Sequence, residues 1–162
     1  AVFNKHDVLL VILDNGTTAM TGHQPNPGVC TSVLGEGCNH LDIESVVRGI
    51  GVTDVAKVKP FNMRGTLKTI EEMKARSGVR VIIAEEPCML FARRTLKQNR
   101  PQVAEVATQG EEALKCLAEL ACPAFRRGGT AEAPVVSVDE SQCSGCMVCL
   151  QVTPAIRARK RS

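Results

Sequence analysis

Residues 8–13, VLLVIL, form an unbroken apolar run with no alternation. A strand that faces water on one side shows a period of two. A run apolar at every position is the pattern of a strand covered on both faces, as in a parallel sheet between helical layers. That restricts the first half of the chain to an α/β architecture and requires helices close by. LDIESVVRGIG (41–51) reads as one, capped by Asp42, with Val46, Val47 and Ile50 on one face and Gly51 at its end. VAKVKP (55–60) reads as a short strand stopped by Pro60. TLKTIEEMKARSG (66–78) places Leu67, Ile70 and Met73 at helical spacing with basic residues in its last turn, and VRVIIAEEP (79–87) is a third strand. Strand, helix, strand, helix, strand is the order of a parallel-sheet domain. Three strands and two helices do not cover both faces of such a sheet, so the chain is expected to be a fragment, or a subunit that completes its core on a partner.

Composition narrows the function classes. There is no Trp or Tyr and only 4 Phe, so platforms for stacking nucleic-acid bases are nearly absent, and the net charge is only +3. No nucleic-acid partner is expected; Arg93, Arg94, Lys97 and Arg100 read as a solvated face and the tail RARKRS as a frayed end. No apolar run is long enough to cross a bilayer, and Asp14 breaks the first one before any cleavage site, so a cytoplasmic protein without membrane contact is expected. In a reducing compartment, 8 cysteines point to metal binding or redox chemistry instead of disulfides. The basic, polar stretch 91–102 reads as a linker between a first domain, 1–90, and a second, 103–162.

The second domain carries CSGCMVC followed by LQVTP, with Cys143, Cys146 and Cys149 at three-residue spacing and Thr153 before Pro154. The two-cluster iron–sulfur run is C-x2-C-x2-C-x3-C-P, and its fourth cysteine ligates the other cluster. The missing ligand therefore belongs upstream. ACPAF (121–125) echoes VTPAI (152–156) and places Cys122 before Pro123. Aligned as degenerate repeats, one site would use positions 110, 113, 116 and 153, now Gly110, Ala113, Cys116 and Thr153, and has lost three ligands. The other keeps Cys143, Cys146, Cys149 and Cys122. These residues predict one [4Fe-4S] cluster in a small α+β ferredoxin-like domain, with Cys116 left over. Zinc held by four thiolates is the rival reading. Cys30, Cys38 and His40 match no familiar site, and Cys88, after a strand end, is expected to be buried.

The loop LDNGTTAMTGHQPNPG (13–28) follows the first strand at the carboxyl edge of the sheet, where open α/β folds bind ligands. Asn15 offers an amide oxygen and the bend at Gly16 a carbonyl, hard ligands suited to Mg²⁺. On composition alone it is a polar turn. DNGTTAMTGHQPNPG, the DIESVVRGIGV helix, the EEPCML strand end and both iron–sulfur halves together resemble the 2-oxoacid:ferredoxin oxidoreductases, in particular the alpha subunits of the indolepyruvate branch. The resemblance implies a partial thiamine-diphosphate-binding parallel-sheet domain followed by the ferredoxin-like one. It implies that the Asn15 side chain and the Thr17 main-chain oxygen hold Mg²⁺, that Gly16, Met20 and Thr21 lie by the diphosphate, and that His23 stands near the reacting thiazolium or else braces the loop. The implied reaction is oxidative decarboxylation of an aryl 2-oxoacid to its coenzyme A ester, with electrons leaving through the cluster to ferredoxin. The remaining partner would be a missing N-terminal part or a second subunit. The sequence departs from the pattern in two places: no G-D-G or G-D-S motif precedes Asn15, and one cluster stands where the family often has two. A non-catalytic electron-transfer or assembly subunit is the alternative.

Overall fold

The computed structural model describes residues 1–29, 39–94 and 100–161, which form two compact units, 1–98 and 99–162. Cys30 and Cys38 lie outside the described residues. In the first unit three parallel strands, β1 (Val8–Asp14), β2 (Asp54–Val58) and β3 (Val79–Glu85), are ordered β1-β3-β2. β3 is central, with Val81 opposite Leu10 on one side and Val55 on the other. Its side chains alternate between two small cores. Val81 and Ile83 pack with Val47 of α1 (Ile43–Gly49), whereas Ile82 and Ala84 pack with Met73 of α2 (Met63–Lys74). The two helices thus cover opposite faces of the sheet.

Local chemistry sets the helix ends. The Asp42 carboxylate accepts from the Glu44 and Ser45 N–H groups, as its position predicts. α2 begins three residues before the apolar spacing suggests, because Asn62 accepts from Gly65 N–H and starts the helix upstream of Leu67. It ends at Lys74, short of Gly78, where Arg80 reaches back from β3. This buried guanidinium donates to the Met73 carbonyl at 3.2 Å and to the Arg76 carbonyl, and pairs with Asp7. A cation at a helix carboxyl end satisfies carbonyls that have no partner within the helix.

Three expectations need correction. β1 is an edge strand in this chain, and its apolar residues are exposed on both faces: Leu10 is 52% and Leu13 79% exposed. An open apolar groove of about 520 Å³ runs beside it, lined by Val8, Leu10, Ile12, Val2 and Ile50. Hydropathy reports the cover a strand needs, and among the described residues β1 has one strand neighbour, β3, to supply it. The supposed linker opens with helix α3 (Met89–Arg94), and the tail is not frayed but forms a strand.

The second unit runs β4 (Gln102–Val106), α4 (Glu111–Leu120), β5 (Phe125–Gly129), β6 (Pro134–Val138), α5 (Cys149–Val152), β7 (Ile156–Lys160). β4 pairs antiparallel with β7, and β5 with β6. The two halves share one strand–helix–strand order, and the backbone treats them alike. Ala107, just after β4, donates to the Ala155 carbonyl at 2.8 Å; Asp139, just after β6, donates to the Ala124 carbonyl at 2.7 Å. Each bond joins one half to the Pro-Ala turn of the other. The Gln109 side chain bonds both backbone groups of Val136, at 2.9 and 2.8 Å, and acts as a short extra strand neighbour. Val103, Ala113, Cys116, Phe125, Val136 and Ile156 fill the core between them.

The fully buried Ile83 and the exposed cap Asp42 separate core from cap energetics. Ile83→Ala should lower stability by about 2–5 kcal/mol, and Asp42→Ala by about 1 kcal/mol. Denaturant unfolding followed by circular dichroism checks both values.

Candidate functional site

The loop after β1 is built from short-range bonds at the carboxyl edge of the sheet. Asp14 Oδ1 accepts from Gly16 N–H at 3.0 Å and Asn15 Oδ1 from Thr17 N–H at 3.1 Å, two successive side-chain-closed turns. Gly16 has φ +67°, a conformation glycine adopts without strain. The Asn15 carbonyl accepts from Cys88 N–H at 2.8 Å, which ties this loop to the end of β3. Thr17 is buried, and its Oγ1 has no hydrogen-bond partner among the described residues. A buried hydroxyl left unpaired costs about 1–3 kcal/mol; at a loop of this kind it is a place for a polar ligand.

The remaining predicted residues of the loop spread apart. Met20 lies in a 3-10 turn (Ala19–Thr21) and is fully exposed. Thr21 Oγ1 donates to Gln24 Oε1, within the loop itself. His23, at φ +65°, donates its N–H to the Thr18 carbonyl at 3.0 Å. Its ring stacks on Phe91 of α3, with centroids 5.5 Å apart, and its Nε2 stands 3.8 Å from Cys88 Sγ. Cys88 is half-buried, not buried as expected, because the strand has already ended and α3 begins beside it. The sequence singles out neither Phe91 nor the His23–Cys88 approach, since both contacts join segments more than sixty residues apart. His40 is exposed and takes no part.

In the second unit Cys122, Cys143, Cys146 and Cys149 line one cavity of about 150 Å³, with Ala104, Phe125 and Val138 in its walls. That is the size of an apolar cavity that admits benzene. Two backbone devices make it. Ala121 closes α4 in the left-handed region at φ +45°, turning the chain sharply before Cys122. Gly145 and Met147 also have positive φ, +73° and +59°, so the segment from Cys143 to Cys149 curls tightly. Alternating backbone of this sort turns N–H groups inward and is a recurring cradle for anions and iron–sulfur groups. A Cβ on Gly145 would meet the Gln102 carbonyl at 2.6 Å, so the loop docks closely on the start of β4.

The thiols sense one another. Burial first, and then Cys116, Cys146, Cys143 and Cys122 nearby, push Cys149 up to about 12; burial and Cys122 push Cys116 up to about 11. Among the described residues, no three His, Cys, Asp or Glu side chains gather closely enough to hold a metal ion. A tetrahedral zinc needs its sulfurs about 2.3 Å from a common centre.

Of the four positions of the other repeat-related site, Gly110 is exposed with open space around it and the other three are packed. Ala113 and Cys116 are fully buried, and Thr153 is nearly so. Thr153 Oγ1 donates to Glu112 Oε2 at 2.9 Å and accepts from Ala155 N–H at 3.2 Å. Lys115 holds the same Glu112, whose carboxyl lies below its usual range because of the bonds from Lys115 and Thr153.

Residues 1–84 match the family model for the C-terminal TPP-binding domain of thiamine pyrophosphate enzymes. The whole chain is similar to indolepyruvate oxidoreductase subunit IorA of several archaea. It is 39% identical to that of Archaeoglobus fulgidus over 155 residues, covering 95% of this chain and 24% of the relative. The figures are 41% over 155 residues for Methanothermobacter marburgensis (96% and 24%) and 35% over 157 for Pyrococcus horikoshii (95% and 24%). The chain therefore spans about a quarter of the length of the curated relatives it matches. No solved structure matches it. No helix among the described residues is long and apolar enough to cross a membrane.

Two measurements test this geometry. A thiol reagent should modify half-buried Cys122 and Cys146 before buried Cys116, as read by mass spectrometry of partly labelled chain. Gly145→Ala should cost about 1–3 kcal/mol through overpacking and should speed labelling of Cys143 and Cys149, which an undisturbed loop would not show.

Proposed function

The chain belongs to the thiamine pyrophosphate enzyme family, and from that premise we propose that it is the C-terminal portion of a 2-oxoacid oxidoreductase subunit that acts on aryl pyruvates such as indolepyruvate. Residues 1–90 would form part of the cofactor domain and 103–162 an electron-carrying ferredoxin-like domain. Thiamine diphosphate, when bound, supplies the electron sink by which a 2-oxoacid loses CO₂. The residues of the loop fit such a guest. Asn15 Oδ1, already oriented by its turn, and the Thr17 main-chain oxygen are hard ligands for Mg²⁺. The Thr17 hydroxyl, without a partner among the described residues, is placed to meet a polar group, and Gly16, Met20 and Thr21 would lie toward the diphosphate. His23, held by Phe91 and the Thr18 carbonyl, would orient the reacting end of the substrate instead of moving a proton alone.

One observation carries the electron-transfer half: Cys122 lines the same cavity as Cys143, Cys146 and Cys149, although 21 residues separate it from the first of them. We read the four as ligands of one [4Fe-4S] cluster, with ligation crossed between the repeats. Electrons from the decarboxylation would leave one at a time through it to a ferredoxin, and coenzyme A would take the acyl group. The open edge of β1 supports a remaining part of the cofactor domain, carried elsewhere in a longer subunit or by a partner. That no G-D-G or G-D-S motif precedes Asn15 in this sequence is in keeping with the same arrangement. A reducing, cytoplasmic setting would suit free thiol ligands.

Cluster assembly tests the ligand set. The chain reconstituted with iron and sulfide should carry about four irons and visible absorption that bleaches on reduction. Cys122→Ser should lose both, whereas Cys116→Ser should keep them; retention by Cys122→Ser would overturn the crossed assignment. In the full-length subunit, Cys146→Ser should abolish reduction of the electron acceptor while leaving substrate-dependent CO₂ release partly intact. Equal loss of both activities in a folded variant would refute the division of labour.

A further inference from the structure

The residue after β7 reaches back to the cysteine loop. Arg161 N–H donates to the Pro101 carbonyl at 2.8 Å and so extends the β4–β7 pairing beyond Lys160. Its half-buried guanidinium then reaches three carbonyl oxygens. Nη2 donates to that of Cys143 at 2.8 Å, Nη1 to that of Glu140 at 3.1 Å, and Nε to that of Arg100 at 3.5 Å. Neighbouring Arg159 engages the Glu140 carboxylate at 2.5 Å, so the two arginines divide the backbone and side chain of one residue between them. The cysteine loop is therefore gripped on two sides: Gly145 seats against Arg100 and Gln102, and Arg161 ties the Cys143 carbonyl to the same approach to β4. A guanidinium never gives up its proton, so its hydrogen bonds to carbonyls leave a full positive charge one peptide unit from the Cys143 sulfur.

We propose that Arg161 is a positioning residue that straps the Cys143–Cys149 loop and, through its charge, raises the electron affinity of the iron–sulfur group held there. The inference rests on the cluster reading of the four-cysteine cavity. Reduction adds a negative charge to the cluster, and nearby charge, hydrogen bonding and solvent exposure set how readily it does so. A fixed cation in a half-buried place stabilises the reduced form more than a solvated lysine tip would.

The test uses the full chain reconstituted with ferrous iron and sulfide under argon, with iron content measured and a dithionite titration followed by electron paramagnetic resonance. Arg161→Gln should hold as much iron as the parent chain yet be harder to reduce, by about a tenfold shift in the equilibrium, or about 59 mV for one electron. Arg161→Lys, which keeps the charge without the fork, should recover most of that shift. An Arg161→Gln chain with full iron and an unchanged potential would overturn the proposal, as would Arg161→Lys falling as far as Arg161→Gln. If Arg161→Gln takes up no iron, Arg161→Met supplies the neutral comparison through its retained stem. Failure of both neutral variants to assemble would make Arg161 a structural strap only and would overturn the tuning role. A parent chain that binds no iron at all would instead remove the cluster reading, and the inference would fall with its premise.

Discussion

The first unit depends on the two-sided burial of β3. Among the described residues it is the only strand with a hydrogen-bonded neighbour on each edge, and its residues from Arg80 to Ala84 are buried. Its alternation divides the core between α1 and α2, so neither helix has a seat without it. The same strand also organises polar groups. At its start Arg80 closes α2; just past its end Cys88 closes the loop after β1 through the Asn15 carbonyl. The candidate cofactor loop is therefore positioned by backbone hydrogen bonds at the carboxyl ends of parallel strands, the part of such a sheet where ligands are bound. Local turns at Asp14 and Asn15 add the fine shape, and the stack of His23 on Phe91 fixes its far side.

The second unit solves a different problem. Its two halves contribute one strand–helix–strand segment each, and every pairing crosses from one half to the other. That crossing is what carries Cys122 to the cavity of the later cysteines. The two repeat-related sets of positions differ in character. At one, four thiols line a cavity; at the other, buried Ala113 and Cys116 and the bond from Thr153 to Glu112 leave packed, satisfied groups. A threonine whose hydroxyl finds both a donor and an acceptor is comfortable in a buried place.

Much of this is legible in the residues, and the failures have physical causes. Asp42 can be read as a cap because its effect is confined to the next turn. The pairing of Cys122 with the distant trio can be read because a repeat carries long-range information in a local pattern. VLLVIL misleads about burial, since its hydropathy is real and the described residues do not cover it. The tail is taken for a frayed end because four basic residues dominate it; the alternation of Ile156 and Ala158 with Arg157 and Arg159 is the signal that would have shown a strand. Arg80 and Arg161 escape notice altogether. Nothing in an arginine's neighbours in sequence tells which carbonyls it will meet across the fold.

The apolar edge of β1 has a practical meaning for anyone handling this polypeptide by itself. Seven residues without proline or lysine offer an unpaired row of backbone groups between two greasy faces, a ready template for another copy of the same strand. Separated from whatever normally lies beside it, the sheet invites stacking of molecule on molecule, and purification would be a contest between folding and precipitation.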